Sequence, residues 1–152
     1  MEIKLKKLQE ILKLNFKDKE LLIQAITHKS SNSQINYEKL EFLGDRVLGL
    51  TVSKKLIELY PKEKVGILDK KFASLVNKNK CYEVGKKLNL ENYILVRNSK
   101  KKTNKIENKI ISDCCESIIG AIYLDSGFEV AKKFILRNWR NYLDMSNLPI
   151  VD

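Results

Sequence analysis

Residues 37–60, YEKLEFLGDRVLGLTVSKKLIELY, carry the helical period that decides the fold class. At about 100° per residue, Leu40, Leu43, Val47 and Leu50 share one side of a helix and should face the core. Glu38, Glu41 and Asp45, at i, i+3 and i+7, fall within roughly 60° of one another on a different side. Three like charges on one stripe destabilise a helix, and Lys39 and Arg46 point elsewhere on the wheel. Phe42 lies on the acidic side, about 40° from Glu38, where an aromatic is either tucked under a neighbouring helix or exposed for a partner. Pro61 stops the run, so the sequence predicts one long helix from about Tyr37 to Tyr60.

Outward from this helix the pattern stays helical. Leu5, Leu8, Ile11 and Leu12 set the period of an amphipathic first helix, which lacks the apolar block of a signal peptide. Asp18 is placed to cap a second helix through Leu21, Leu22, Ala25 and Ile26. Helices also fit 67–77, 80–88, about Asn108 to Asp125, and Phe128 to Asp144. Tyr93-Ile94-Leu95-Val96 is the single strand candidate, and six Gly and two Pro in 152 residues are few for an all-β chain. The expectation is an all-α domain in the cytoplasm, with no membrane partner and no apolar run approaching ~18 residues. Cys81, Cys114 and Cys115 have no metal-type spacing and read as reduced, buried thiols.

Asp113 and Glu116 form a second acidic pair at i and i+3, on a helix otherwise built from Ile111, Cys115, Ile118, Ile119 and Ile122. Carboxylates in such surroundings are expensive unless a cation or hydrogen bonds compensate them. An all-carboxylate ligand set suits Mg²⁺ or Mn²⁺ better than zinc. Gly44 beside Asp45, and Gly120 one turn beyond Glu116, would let the two acidic helices approach closely enough to build one site. Metal ions in such a site activate water and stabilise a leaving oxygen.

The net charge is +10, and half of it falls in RNSKKKTNKIENK (97–109), six basic residues against Glu107. That run reads either as a solvated loop or as a phosphate-contacting one, in which Lys100, Lys101, Lys102 and Lys105 would meet the phosphates of a nucleic acid. An acidic metal site inside a basic chain is the combination a nuclease requires. His28 reads as a hydrogen-bonded structural residue and Trp139 as core.

These residues carry a resemblance. Tyr37 to Leu48, YEKLEFLGDRVL, resembles the signature helix of bacterial ribonuclease III, usually NERLEFLGDAVL. Thr27-His28-Lys29-Ser30 resembles the family's preceding THxS. Ile111 to Asp125, ISDCCESIIGAIYLD, resembles its second acidic block, LADxxEALIGAIYLD, and Ala73-Ser74-Leu75-Val76 fits a weaker block between them. The resemblance extends from the first helix to about residue 144. It implies an all-helical, homodimeric endonuclease domain over 1–145, with 146–152 a tail beginning the linker to a double-stranded-RNA-binding domain that this chain does not include.

By the same resemblance, Glu41, Asp45, Asp113 and Glu116 hold Mg²⁺, for which Mn²⁺ can substitute, and Asp45 and Glu116 are catalytic. Glu38 is an accessory acid, and Phe42 is a knob entering the other subunit. The implied reaction is hydrolysis of double-stranded RNA to 5′-phosphate and 3′-hydroxyl ends with short 3′ overhangs, in rRNA and mRNA precursor processing, without a small-molecule cofactor. The chain departs from the family in three places: Val65 stands where an acid precedes Gly66, Asp69-Lys70-Lys71-Phe72-Ala73 replaces SxxRA, and Lys101-Lys102-Thr103-Asn104 replaces KSGG. The competing readings are an all-α Mg²⁺-dependent nucleotide pyrophosphohydrolase and a non-catalytic RNA-binding module. The first places its acidic pairs closer than the 68 residues separating Asp45 from Asp113, and the second generally lacks metal carboxylates.

Overall fold

The computed structural model describes residues 1–97 and 106–147. Leu5, Leu8 and Leu12 turn one face of α1 (Glu2–Leu12) into the core. Asp18 caps α2 (Lys19–Ala25), its carboxylate accepting the Glu20 N–H at 3.0 Å. The long helix α3 (Glu38–Leu59) follows, then α4 (Val65–Val76) and α5 (Lys78–Lys87). A 3-10 turn at Leu90–Asn92 leads into the chain preceding α6 (Asn108–Ser126). Gly127, at φ 88°, adopts a backbone conformation that side chains disfavour and turns the chain into α7 (Phe128–Asn138).

Helix α6 is the centre of the molecule. Every residue from Ile111 to Ile122 is buried, as expected of a helix enclosed by others on all sides. It packs most extensively on α3 and α5, with α2 and α7 completing the enclosure. Two of its serines are satisfied within this shell: Ser112 Oγ donates to the Lys78 carbonyl at 3.0 Å, and Ser117 Oγ donates to the Ala25 carbonyl.

The three thiols are buried and free, as expected, and burial raises the pKa of each, that of Cys114 to about 12. No helix among the described residues is long and apolar enough to cross a membrane.

Two expectations need correction. Leu50 is 60% exposed, not core. The buried face of α3 runs through Leu40, Gly44, Val47, Leu48, Thr51, Val52 and Leu56, about 100° round the helix from the predicted stripe. Its line of closest approach passes through Gly44, a residue to which hydrophobic periodicity gives no weight. The terminal helix also does not run unbroken from Phe128 to Asp144. It breaks at Trp139, which separates α7 from α8 (Arg140–Asp144). The indole is fully buried, as expected of a core residue, and its N–H donates to the Leu75 carbonyl at 2.8 Å. The strand candidate amounts to one parallel bridge between Thr27 and Leu95 among the described residues.

The loop between α1 and α2 is tied to the end of α6 by Asp125, whose carboxylate accepts the Lys17 N–H at 3.1 Å and the Asp18 N–H at 2.9 Å. Burial alone would raise the Asp125 pKa, but these two backbone bonds outweigh it and hold the group below its usual value. Asp125→Ala should lower unfolding stability by about 1–2 kcal/mol, measured by urea titration at neutral pH. Because the folded pKa is depressed, the difference from wild type should shrink as pH falls through the carboxylate range. A pH-independent difference would exclude this role.

Candidate active site

Two helices bring the acidic residues together because both carry glycine where they cross. A Cβ built on Gly44 would lie 1.7 Å from the Glu116 carbonyl oxygen, and one on Gly120 would lie 2.1 Å from the Leu40 carbonyl oxygen. Only hydrogen fits at either point, so α3 and α6 approach backbone to backbone. Glu41 and Asp45 flank Gly44 on one helix, and Asp113 and Glu116 precede Gly120 on the other.

Carboxylate oxygens of Glu41, Asp113 and Glu116 lie within 4.8 Å of one another, close enough to hold a single metal ion. The side chains of Asp113 and Glu116 are 3% and 1% exposed. Asp45 stands at the rim, half exposed, with Arg46 at 3.4 Å, and it is not part of that three-residue group. Glu38 is exposed at the start of α3. Phe42 is 63% exposed, and the Arg46 guanidinium lies 4.0 Å from its ring centroid. Lys100, Lys101, Lys102 and Lys105 lie outside the described residues.

The residue at the centre of the acids was not anticipated. The Lys78 ammonium donates to Glu41 at 3.1 Å, to Asp113 at 3.0 Å, and to Glu116. Lys78 opens α5, where Asn77 caps the helix through the Lys80 N–H and Ser112 holds the Lys78 carbonyl. Lys109, one turn before Asp113 on α6, donates to its other oxygen at 2.8 Å. Lys109 was legible from its i,i+4 spacing, whereas Lys78 arrives from a different helix and leaves no local signal.

The electrostatics follow from burial and pairing. Burial pushes Glu116 up, and the neighbouring Asp45 carboxyl adds to it, so its pKa is raised to about 8 despite Lys78. Burial also raises Glu41. Asp113 is disfavoured by burial too, but Lys109 and Lys78 overcome this and lower its pKa. Desolvation works against the Lys78 charge, yet its bonds to Glu116 and Asp113 keep it protonated well above the ordinary lysine range.

This donor set fits a divalent cation. It offers carboxylate oxygens only, and Glu116 Oε2 is buried without a hydrogen-bond donor. Glu41, Asp113 and Glu116 share the Lys78 ammonium, Asp113 also takes Lys109, and Asp45 pairs with Arg46 at the rim.

His28 lies nearby but is committed elsewhere. Its Nδ1 accepts the Ser30 N–H at 3.1 Å, and its ring stands edge-on to Tyr37 at 5.5 Å. Burial, with Lys29 beside it, lowers its pKa.

Comparison with known proteins places this architecture. The family model for Ribonuclease-III-like domains matches residues 18–143. The chain belongs to the ribonuclease III family. It is 56% identical over 146 residues to Ribonuclease 3 of Pelagibacter ubique, covering 96% of this chain and 66% of that protein. It therefore spans just under two thirds of that curated relative's length. The nuclease domain of ribonuclease III from Campylobacter jejuni superposes with a TM-score of 0.83 at 43% identity, covering 95% of this chain and 98% of that one. That domain is described as flexible in a region involved in dimer formation. A Dicer from Pichia stipitis, 22% identical with a TM-score of 0.68 over 91% of this chain and 63% of its own, shares the fold.

Proposed function

We propose that this domain is a divalent-cation-dependent endonuclease that cuts double-stranded RNA as a homodimer. The observation that carries the reading is the convergence of Glu41, Asp113 and Glu116, with Asp45 at the rim, across a glycine-mediated helix crossing. These four carboxylates would hold Mg²⁺ or Mn²⁺, with Glu38 as an accessory acid at the edge. A bound ion would supply an activated water and charge stabilisation at the leaving oxygen. The chain's own residues do the rest. Asp113, kept ionised by Lys109, and Glu116, fixed on the most enclosed helix, hold the oxygens in place before any ligand arrives. The net charge of +10 favours a polyanion such as RNA, and duplex RNA is recognised through shape, 2′-hydroxyls and phosphates.

The test is cleavage of an end-labelled RNA duplex at low salt, with Mg²⁺, with Ca²⁺ or with EDTA. Mg²⁺-dependent products with 5′-phosphates and short 3′ overhangs are expected. An intact duplex in every condition, from folded protein, would overturn the reading.

Dimerisation through α3 would place Phe42 on the second copy, which accounts for a large aromatic left in solvent beside the site. Phe42→Ala should weaken the dimer by roughly tenfold to a hundredfold in Kd, read by sedimentation equilibrium, without changing the monomer's circular dichroism. An unchanged Kd would remove Phe42 from the contact.

A further inference from the structure

The strongest unexplained feature is a cation of the protein's own at the focus of the acidic cluster. The Lys78 ammonium bonds Glu41, Asp113 and Glu116, the same three residues whose oxygens converge closely enough to hold a metal ion. We propose that Lys78 is a tethered competitor for the divalent-cation site, neutralising the acids when the site holds no ion and giving way when a metal binds. The inference rests on the metal-site reading above and adds a control element to it.

Three observations support displacement over a purely structural ion pair. The Lys78 side chain is 56% exposed, so its withdrawal breaks no core packing. Its polar contacts are to the acids themselves, whereas the α5 start is held independently by the Asn77 cap and by Ser112 on the Lys78 carbonyl. An ammonium and a divalent ion also cannot share one focus, since like charges a few ångströms apart repel strongly in a partly buried site. Asp113 keeps Lys109 after Lys78 leaves, so one acid stays compensated throughout.

The consequence is a threshold. Apparent metal affinity falls by the fraction of molecules in which Lys78 has already left the acids, so a site open about one-tenth of the time binds about tenfold more weakly than the bare site. Removing the ammonium lifts this competition.

The experiment measures Mn²⁺ binding to the full chain by electron paramagnetic resonance, without RNA, for wild type, Lys78→Met and Lys78→Gln. The glutamine retains hydrogen-bond donors without the charge, so it guards against misfolding of the methionine variant. Both variants are expected to bind Mn²⁺ roughly tenfold or more tightly than wild type. Equal or weaker binding by the variants, with wild type binding normally, overturns the competitor role and leaves the metal site standing. Absence of Mn²⁺ binding in all three proteins overturns both. A measurement on wild type alone covers the case in which neither variant folds. The Lys78 Nζ–H resonance, protected by three carboxylates, should be lost to exchange on saturation with Mg²⁺, and its persistence would equally overturn the proposal.

Discussion

Glu116→Gln is expected to reduce cleavage of duplex RNA by on the order of a thousandfold, matching the several kcal/mol that metal-assisted charge stabilisation supplies. The fold should survive. Glutamine has the volume of glutamate, so the tightly enclosed position on α6 is neither emptied nor overfilled. What changes is charge. Glu116 brings one oxygen to Lys78 and keeps another buried without a donor, beside the Asp45 carboxyl. An amide cannot supply that second anionic oxygen, and its N–H group would turn toward Asp45 as a donor. Because burial already raises the Glu116 pKa to about 8, the neutral amide should leave the thermal midpoint little changed in metal-free buffer near neutral pH. Mn²⁺ binding should weaken in parallel with activity. Wild-type cleavage by the folded variant would show that the metal is held elsewhere.

That so much of this site was legible in sequence has a physical reason. Carboxylates on an apolar helix, such as Asp113 and Glu116 among Ile111, Ile118 and Ile119, cost too much to be left without purpose. Gly44 and Gly120 flagged the crossing for a similar reason, since glycine in mid-helix weakens the helix unless something must come close. The same glycines explain the misreading of Leu50. The helix turns a residue with no side chain toward its most intimate neighbour, so the apolar stripe alone points to one side of the true buried face. Lys78 was illegible because its meaning lies between three helices, in an approach that no local period encodes. The break at Trp139 was hidden similarly. The carbonyl that receives its indole N–H belongs to Leu75, 64 residues away in the chain.

Gly44→Ala should destabilise the domain by more than ~4 kcal/mol, beyond the ordinary 1–3 kcal/mol range for overpacking and close to the whole stability of many domains. The added methyl would sit 1.7 Å from the Glu116 carbonyl oxygen, 2.7 Å from its carbon and 2.9 Å from the Gly120 nitrogen. All three are backbone atoms, so no side chain can rotate away. The helices must separate by more than an ångström, and Gly120→Ala makes the same demand from the other side, with 2.1 Å to the Leu40 carbonyl oxygen. Intrinsic propensity argues for the opposite sign, because alanine favours a helix over glycine by about 1 kcal/mol. Gly66→Ala on α4 isolates that contribution, since its methyl would meet nothing within 4 Å and should leave stability unchanged or slightly improved. Urea titration of the three variants therefore separates the crossing from the helix. Gly44→Ala should also lose Mn²⁺ binding even when refolded with an osmolyte, because Glu41 and Glu116 sit on opposite sides of the widened crossing. A Gly44→Ala protein with the melt and the metal affinity of wild type would mean that the close approach of α3 and α6 does not build the site.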